Sequence, residues 1–574
     1  MMFLKPLGAI ILLATSPVFA EPPNPELLPA TVNTTSDWDT GFCADVIVNN
    51  NTDHTVDWVT EFEPGGTINN LWSASYELLP NGKIRAERLD WNNEVASGQS
   101  VTFGYCADKD GDASACVGSA DIQPTKRPFP QQVSYAANTI RPTNFTQVQQ
   151  DQHVRDFYDY WKSSYLLSAG TDTNGKSLCR VAFGKSGSKQ DITVSEGQGY
   201  GMMSTALMAG YDPNAQSLFN SLWYFSRKYP SGIDNRLMSW KIKNGKIVGG
   251  NDSAFDGDVD IAYGLLLADA QWGSSGEVNY RNEATTVIQG ILDSTIGPDS
   301  HLPMLGDWVQ ANGSPYNQYT PRSSDFMPAH FRSFGRATNN PVWDTVITNS
   351  QAVIDTLQTN YSTGLLPDFI INCNDVSQCV PANSGFLEGP HDGHYYYNAG
   401  RDPWRIGLDA LLNDDAKSRD QVQKMVTWLA SDSGGNADGI KAGYQLNGTP
   451  IGNYFTTFFA APFGVATMLD SNQQAFLNDI YAFVYNERED YYEDSVNLLS
   501  LLVMTGNFWE PVALQTSSLT IEAPTGGGSL IIKAKPSKGW KFKEWAGDCK
   551  GTRKKTVVKM NKNQYCTAVF EPKP

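Results

Sequence analysis

Positive charge is what this 574-residue chain is short of. It has 43 Lys and Arg against 61 Asp and Glu, a net charge of −18, and so acidic a chain is repelled by nucleic acid. Long hydrophobic runs are scarce too. Within residues 1–20 the stretch GAIILLAT is apolar, but it is too short to span a bilayer, and no second candidate span follows. Lys5 before it and Val18-Phe19-Ala20 after it make a secretory signal cleaved near Glu21. A secreted, extracellular protein is expected, free of the membrane once the signal is removed.

Several reactive motifs are also missing. No C-x-x-C or H-E-x-x-H pattern points to a metal, and no G-x-S-x-G supports a serine hydrolase of the α/β type. FDGDVD opens like a calcium loop, but that loop needs Gly at its sixth place and Glu at its twelfth; here stand Ile261 and Leu267. His391 and His394 in HDGH lack an evident third ligand. No metal or organic cofactor is expected.

What is abundant is aromatic surface: 15 Trp and 25 Tyr beside the many carboxylates. Flat faces with carboxylates suit sugars, though large aromatic cores explain the same composition. Eight cysteines, at 43, 106, 116, 179, 373, 379, 549 and 566, fit an oxidising compartment. Cys549 pairs most naturally with Cys566 in one short module, and Cys373 with Cys379 across a tight loop. The other four stay unassigned.

The length suggests several domains, and the composition changes twice along the chain. Residues 32–118 are rich in Thr, Val, Asn and Gly, and CADVIVNN and SVTFGYC alternate as strands do; a β-sandwich is expected. A Pro-containing linker covers 119–130. Residues 131–510 contain twelve helical patterns, near 145–167, 197–210, 215–228, 258–271, 281–296, 323–335, 341–360, 401–413, 417–431, 455–469, 472–486 and 492–505. Some, such as YGMMSTALMAG, are apolar nearly all round and read as buried; others, such as RNEATTVIQGILDS, are amphipathic. Alternation of the two kinds predicts an all-α (α/α)6 barrel, six inner helices ringed by six outer ones. Residues 516–574 hold twelve Lys or Arg against four Asp or Glu and read as a small β-rich, surface-binding or spacer module.

In such a barrel the even-numbered helices run parallel, so their N-termini share one rim. That rim gathers Glu196, Asp256, Asp325 and Asn398, with Tyr454 and Tyr492 beside them. Helix capping accounts for any one of the acids; several at one rim, among aromatics, read as a polysaccharide cleft.

These residues resemble glycoside hydrolase family 8, a family of inverting, endo-acting enzymes with this barrel. VSEGQGYGM matches the segment of the family's general acid, AFDGDVDIAYGLLLADAQW its signature, and YYYNAGRDPWRI a third segment. The signature is imperfect: Phe255 replaces a usual Ser or Thr, and Gly264 a usual Ser or Ala. The resemblance implies Glu196 as acid and Asp256 as a residue of the central sugar subsite. Tyr200, Asp325, Asn398 and Arg401 are expected to bind substrate. Many members carry Asp as base where Asn398 stands. A subgroup with Asn takes its base from a preceding long loop, which here is 369–394, and Glu388 fits that pattern, with Asp392 as the alternative. Inversion needs about 6.5–9.5 Å between acid and base to admit water.

In order, SDWDTGFCADVIVNN, VDWVTEF, NLWSASY and LDWNNEVASGQSVTFGY resemble a family 2 carbohydrate-binding module, which implies Trp58 in the core and Trp38, Trp72 and Trp91 on a flat cellulose-binding face. The C-terminal segment looks like a bacterial GW-x-F-x-x-W-x-GDC extracellular repeat. The expectation is a monomeric, inverting endo-β-1,4-glucanase acting on cellulose. A chitosanase, lichenase or xylanase is the alternative within the family. A non-catalytic polysaccharide-binding or scaffolding protein that has lost its base is the alternative of another class.

Overall fold

The computed structural model describes residues 25–38, 41–79, 83–108, 116–118, 122–512, 515–521, 529–536, 540–559 and 564–572. The expected signal at 1–20 lies outside them. The chain forms two compact units, residues 1–110 and 111–574.

The first unit is a sandwich of two sheets. One has the order β2-β3-β9-β5, from β2 (Ala30–Trp38), β3 (Gly41–Asn49), β9 (Ser100–Asp108) and β5 (Thr67–Trp72). The other has the order β1-β4-β7-β6, from β1 (Glu26–Leu27), β4 (Val56–Phe62), β7 (Ile84–Glu87) and β6 (Ser75–Leu78), with β8 (Glu94–Val95) paired to β4. Alternate residues of β3 (Ala44, Val46, Val48) point into the core, as the period of a strand with one buried face requires. Trp58 is fully buried, stacks on Phe103 at 5.8 Å and donates its indole N–H to the Asn92 carbonyl. Cys43 and Cys106 are cross-strand partners on β3 and β9 and form a disulfide. Trp72 and Trp91 are 43% and 70% exposed. The Trp72 ring lies against Gly104, where a Cβ would come within 2.3 Å of it. The Trp38 side chain lies outside the described residues.

The second unit contains the twelve expected helices: α1 (Gln147–Tyr165), α2 (Ser195–Leu207), α3 (Ala215–Lys228), α4 (Phe255–Trp272), α5 (Tyr280–Ser294), α6 (Pro328–Thr338), α7 (Val342–Asn360), α8 (Asp402–Asn413), α9 (Ala416–Asp432), α10 (Thr457–Thr467), α11 (Gln474–Asn486) and α12 (Tyr491–Met504). The even-numbered helices close a ring, each packing on the next and α12 returning to α2. Their apolar sequences follow from that position: every residue of α10 is buried, and in α2 only Glu196 is not. Outer helices such as α5 and α9 bury one face.

Two starts differ from the sequence reading. Asp325 does not open α6; it ends a single 3₁₀ turn, Ser323–Asp325, and the helix begins at Pro328. Asn398 likewise precedes a 3₁₀ turn, Ala399–Arg401, and α8 begins at Asp402 with Pro403 next. Proline has no N–H and is best accommodated in a first helical turn, which suits Pro328 and Pro403 to these starts and leaves the polar residues on irregular backbone at the rim.

Inner helices α2 and α4 cross closely because glycines line the seam. A Cβ on Gly257 would lie 2.2 Å from Ser195 Oγ, and one on Gly199 would lie 2.5 Å from Asp260 Cβ. This contact holds Glu196, three residues before Gly199, and Asp256, one before Gly257, on adjoining helix ends.

Short strands decorate the barrel: β10 (Leu166–Thr171) with β11 (Ser177–Val181), β12 (Ile192–Val194) with β13 (Lys241–Lys243) and β14 (Lys246–Ile247), and β15 (Ile370–Ile371) with β16 (Val380–Pro381). Cys116 is bonded to Cys179, and Cys373 to Cys379 at the tip of the β15–β16 hairpin. The C-terminal module has β17 (Gln515–Ile521), β19 (Trp540–Gly547) and β21 (Gln564–Pro572) in one sheet, and β18 (Ser529–Lys533) with β20 (Lys555–Lys559) in a second. Cys549 and Cys566 are joined within it.

Gly257→Ala is expected to force α2 and α4 apart and to destabilise the barrel by about 1–3 kcal/mol, the usual cost of overpacking. A lower thermal unfolding midpoint in the whole chain checks it.

Candidate active site

The rim is organised around Arg401. Its guanidinium is buried, and through the same nitrogen, Nη1, it donates to Glu196 Oε2 and to Asp256 Oδ2, both at 2.8 Å. Its Nη2 donates to Ser324 Oγ at 2.9 Å and to Asn398 Oδ1 at 3.2 Å. Arg322 reaches the other Asp256 oxygen, Oδ1, at 3.0 Å and Asp325 Oδ1 at the same distance. Tyr491, the first residue of α12, donates its hydroxyl to Glu196 Oε1 at 3.0 Å. Gly197 makes room for that ring, since a Cβ there would come within 2.6 Å of the hydroxyl.

Capping does not account for the acids. The N-caps of α2 and α4 are Val194 and Ala254, without side-chain cap bonds, and both carboxylates turn to the arginines instead. Their electrostatics diverge. Burial pushes Glu196 up to about 7; Arg401 opposes this, and the Asp256 charge adds to it. Asp256 is buried as well, but Arg322 and Arg401 together outweigh burial and hold it well below the usual carboxylate range. One carboxyl thus keeps a proton near neutrality while its neighbour stays ionised, the split by which two acids take different roles.

Asn398 occupies the junction. Its amide Nδ2 donates to Glu388 Oε2 at 2.9 Å and lies 3.4 Å from Asp368 Oδ2. Its Oδ1 accepts from Arg401 and from Arg322. An amide presents a donor and an acceptor at once, so it satisfies carboxylates on one side and guanidiniums on the other. An aspartate here would face two carboxylates with no donor to offer.

Glu388 is exposed on the loop between β16 and α8. Hydrogen bonds run from it through Asn398 and Arg401 to Glu196. The loop is pinned on two sides. Asp392 is buried, and its carboxylate accepts from the backbone N–H groups of Leu387, Glu388 and Gly389, at 2.7, 3.1 and 2.9 Å. Asp368 accepts from those of Tyr396, Asn398 and Ala399, at 3.0, 3.1 and 2.7 Å. The two anchors are tied together: Phe369 N–H donates to the Asp392 carbonyl and Asp368 N–H to the His394 carbonyl, both at 2.8 Å. Phe369 and Phe386 pack with Trp308 and Tyr316 beneath the loop.

Glu196, Asp256, Asn398, Glu388 and Arg401 thus converge as expected. Tyr200, Asp325 and Arg401, expected to bind substrate, are buried at the rim beside the carboxylates, as Asp256 is. Tyr200 lies 3.4 Å from Arg401 Nη1, and burial raises Asp325 to about 6 despite Arg322. Tyr492 lies against Arg401, while Tyr454 is exposed at the rim and within 3.3 Å of the Tyr397 hydroxyl. Tyr491, Arg322 and Asp368 escaped the sequence reading. Tyr491 adjoins Tyr492 and Arg322 stands three residues before Asp325, so helix-start proximity pointed near them; nothing local marked Asp368. Among the described residues no group of three His, Cys, Asp or Glu is placed to hold a metal ion.

A closed double ring of helices with divergent carboxyls at one rim fits a glycoside hydrolase. The chain belongs to glycosyl hydrolases family 8, whose profile matches residues 143–506. Residues 29–120 match the cellulose binding domain family, and residues 516–574 the divergent InlB B-repeat domain. The chain is 42% identical to a β-glucanase of Niallia circulans over 67% of its own length and 91% of that protein's. It is 37% identical to an endoglucanase of Bacillus sp. strain KSM-330, over 67% and 82%. Among solved structures, an apo β-1,3-1,4-glucanase from Paenibacillus sp. X4 superposes with a TM-score of 0.63 at 40% identity, covering 67% of this chain and all of that one. A cold-adapted family 8 xylanase, at 21% identity and a TM-score of 0.53, covers 67% of this chain and 98% of its own and shares the fold.

Asp256→Asn should lower the Glu196 midpoint from about 7, because a like charge leaves and Arg401 is left to Glu196. The carboxyl carbon shift of Glu196, followed by NMR against pH, reads it.

Proposed function

We propose that this family 8 glycoside hydrolase is a secreted, inverting endo-β-1,4-glucanase that acts on cellulose. The observation that carries the proposal is the bond from Asn398 Nδ2 to Glu388, which sets a solvent-accessible carboxylate at the rim that holds a proton-bearing Glu196. In this reading Glu196 donates its proton to the glycosidic oxygen as the bond breaks. Glu388 takes a proton from the water that attacks the anomeric carbon. Asp256, held ionised by its arginines, binds the central sugar and stabilises the positive charge that develops there. Asn398 aligns Glu388, and Arg401 keeps the acid and Asp256 in register.

Glu388 is the better base because Asp392 is buried with both oxygens engaged by backbone N–H groups. Asp392 serves as the anchor of the Glu388 backbone. The cellulose binding domain favours cellulose as the polymer, with Trp72 and Trp91 exposed to meet it. The similarity to the Paenibacillus β-1,3-1,4-glucanase supports a second reading, hydrolysis of mixed-linkage glucan. A scaffold without a base fits poorly with a carboxylate docked on Asn398.

Glu388→Gln is expected to lower kcat by about 10²–10⁴-fold, the usual weight of a general base, with adsorption to cellulose retained. Asp392→Asn should lower kcat in the native background and have little added effect in the Glu388→Gln background, as for two residues acting through one group. Glu196 loses its proton above about 7, so the rate should fall on the alkaline side of that pH. Reducing-sugar release from cellulose, mixed-linkage glucan, xylan and chitosan, with NMR of the first-formed anomer, tests the whole reading. Retention of configuration, or full activity of Glu388→Gln, overturns it.

A further inference from the structure

The C-terminal module presents a face that hydrolysis does not use. Strands β18 and β20 form an antiparallel ribbon in which Ser529 faces Lys559, Ile531 faces Val557 and Lys533 faces Lys555. Cross-strand partners share a face, so these six form one side of the ribbon, and all six are exposed. Ile532 and Val558 point the other way into the module's core. The outward side is therefore an aliphatic pair, Ile531 and Val557 at 56% and 61% exposure, bracketed by three lysines and free of acids. A groove of about 590 Å³ beside it is lined by Ile531, Val557, Lys550, Arg553 and Lys555. Lys555 and Lys559 stand four residues apart on one strand, about 13 Å, a span that a few sugar units cover.

We propose that this ribbon binds an anionic, uronate-bearing polysaccharide. Charge complementarity carries the choice. The module holds twelve Lys or Arg against four Asp or Glu, within a chain whose net charge is −18. A polyanion is repelled by the rest of the protein and attracted at this module. The lysines reach carboxylates along an extended polymer, and the aliphatic pair offers the C–H face of a sugar ring a dry contact. This side exposes one aliphatic pair level with its lysines, and the exposed Leu530 lies on the opposite side, so the apolar surface is too small to insert into a lipid layer, which favours the polymer over a membrane. The module then tethers the hydrolase to acidic polymer while the cellulose binding domain takes the neutral one.

The test uses the full chain in native gels cast with polygalacturonate or with fully methyl-esterified pectin. Retardation is expected only with the acid polymer. It should fall with added salt and weaken at least about tenfold in the triple variant Lys533→Gln, Lys555→Gln, Lys559→Gln. The charge-conserving variant Lys533→Arg, Lys555→Arg, Lys559→Arg should keep the retardation, which separates lost charge from a lost fold. No retardation at low salt, or equal retardation of the glutamine variant, overturns the proposal. So does lysine-dependent binding to phosphatidylglycerol vesicles without binding to polygalacturonate, or lysine-dependent self-association seen by sedimentation.

Discussion

One buried guanidinium holds the rim residues together. Arg401 touches Glu196, Asp256, Ser324 and Asn398, so residues from four places in the sequence take their positions from a single planar group. A cation stripped of water is stable only when its donors are matched, and the match here is made by carboxylates and an amide oxygen. The same constraint divides the two carboxyls. Asp256 is met by two arginines and stays ionised; Glu196 shares one of them, and burial then favours its proton.

The amide at 398 follows from this arrangement. Here a loop delivers Glu388 from one side and Asp368 lies on the other. The neutral side chain lets the two carboxylates and the two arginines coexist. Ten residues before the neutral Asn398 stands the carboxylate of Glu388, on a loop pinned by the carboxylates of Asp392 and Asp368. Loops hold functional groups well when their backbone donors are taken up, and these two acids take up six.

The barrel supplies the second constraint, which is distance. Glycines 199 and 257 let α2 and α4 approach until Glu196 and Asp256 can share one arginine nitrogen. Pro328 and Pro403 delay the starts of α6 and α8, leaving Asp325 and Asn398 on short 3₁₀ turns whose side chains aim at the rim instead of capping a helix.

The sequence alone determined the twelve helices, because their periodicity and apolar content report burial directly, and it determined the core role of Trp58 and two of the four disulfides. It also marked Glu196, Asp256, Asn398 and Glu388, which stand in recognisable local patterns. It did not reveal that Arg401, Tyr200 and Asp325 are buried, that Asp392 takes up three backbone N–H groups, or that Tyr491, Arg322 and Asp368 meet the other residues at the rim. Those roles depend on which side chains meet across helices far apart in the chain, and on how much water each meeting excludes. Only tertiary structure decides that, because hydrogen-bond partners and desolvation are properties of a packed place and not of a stretch of residues.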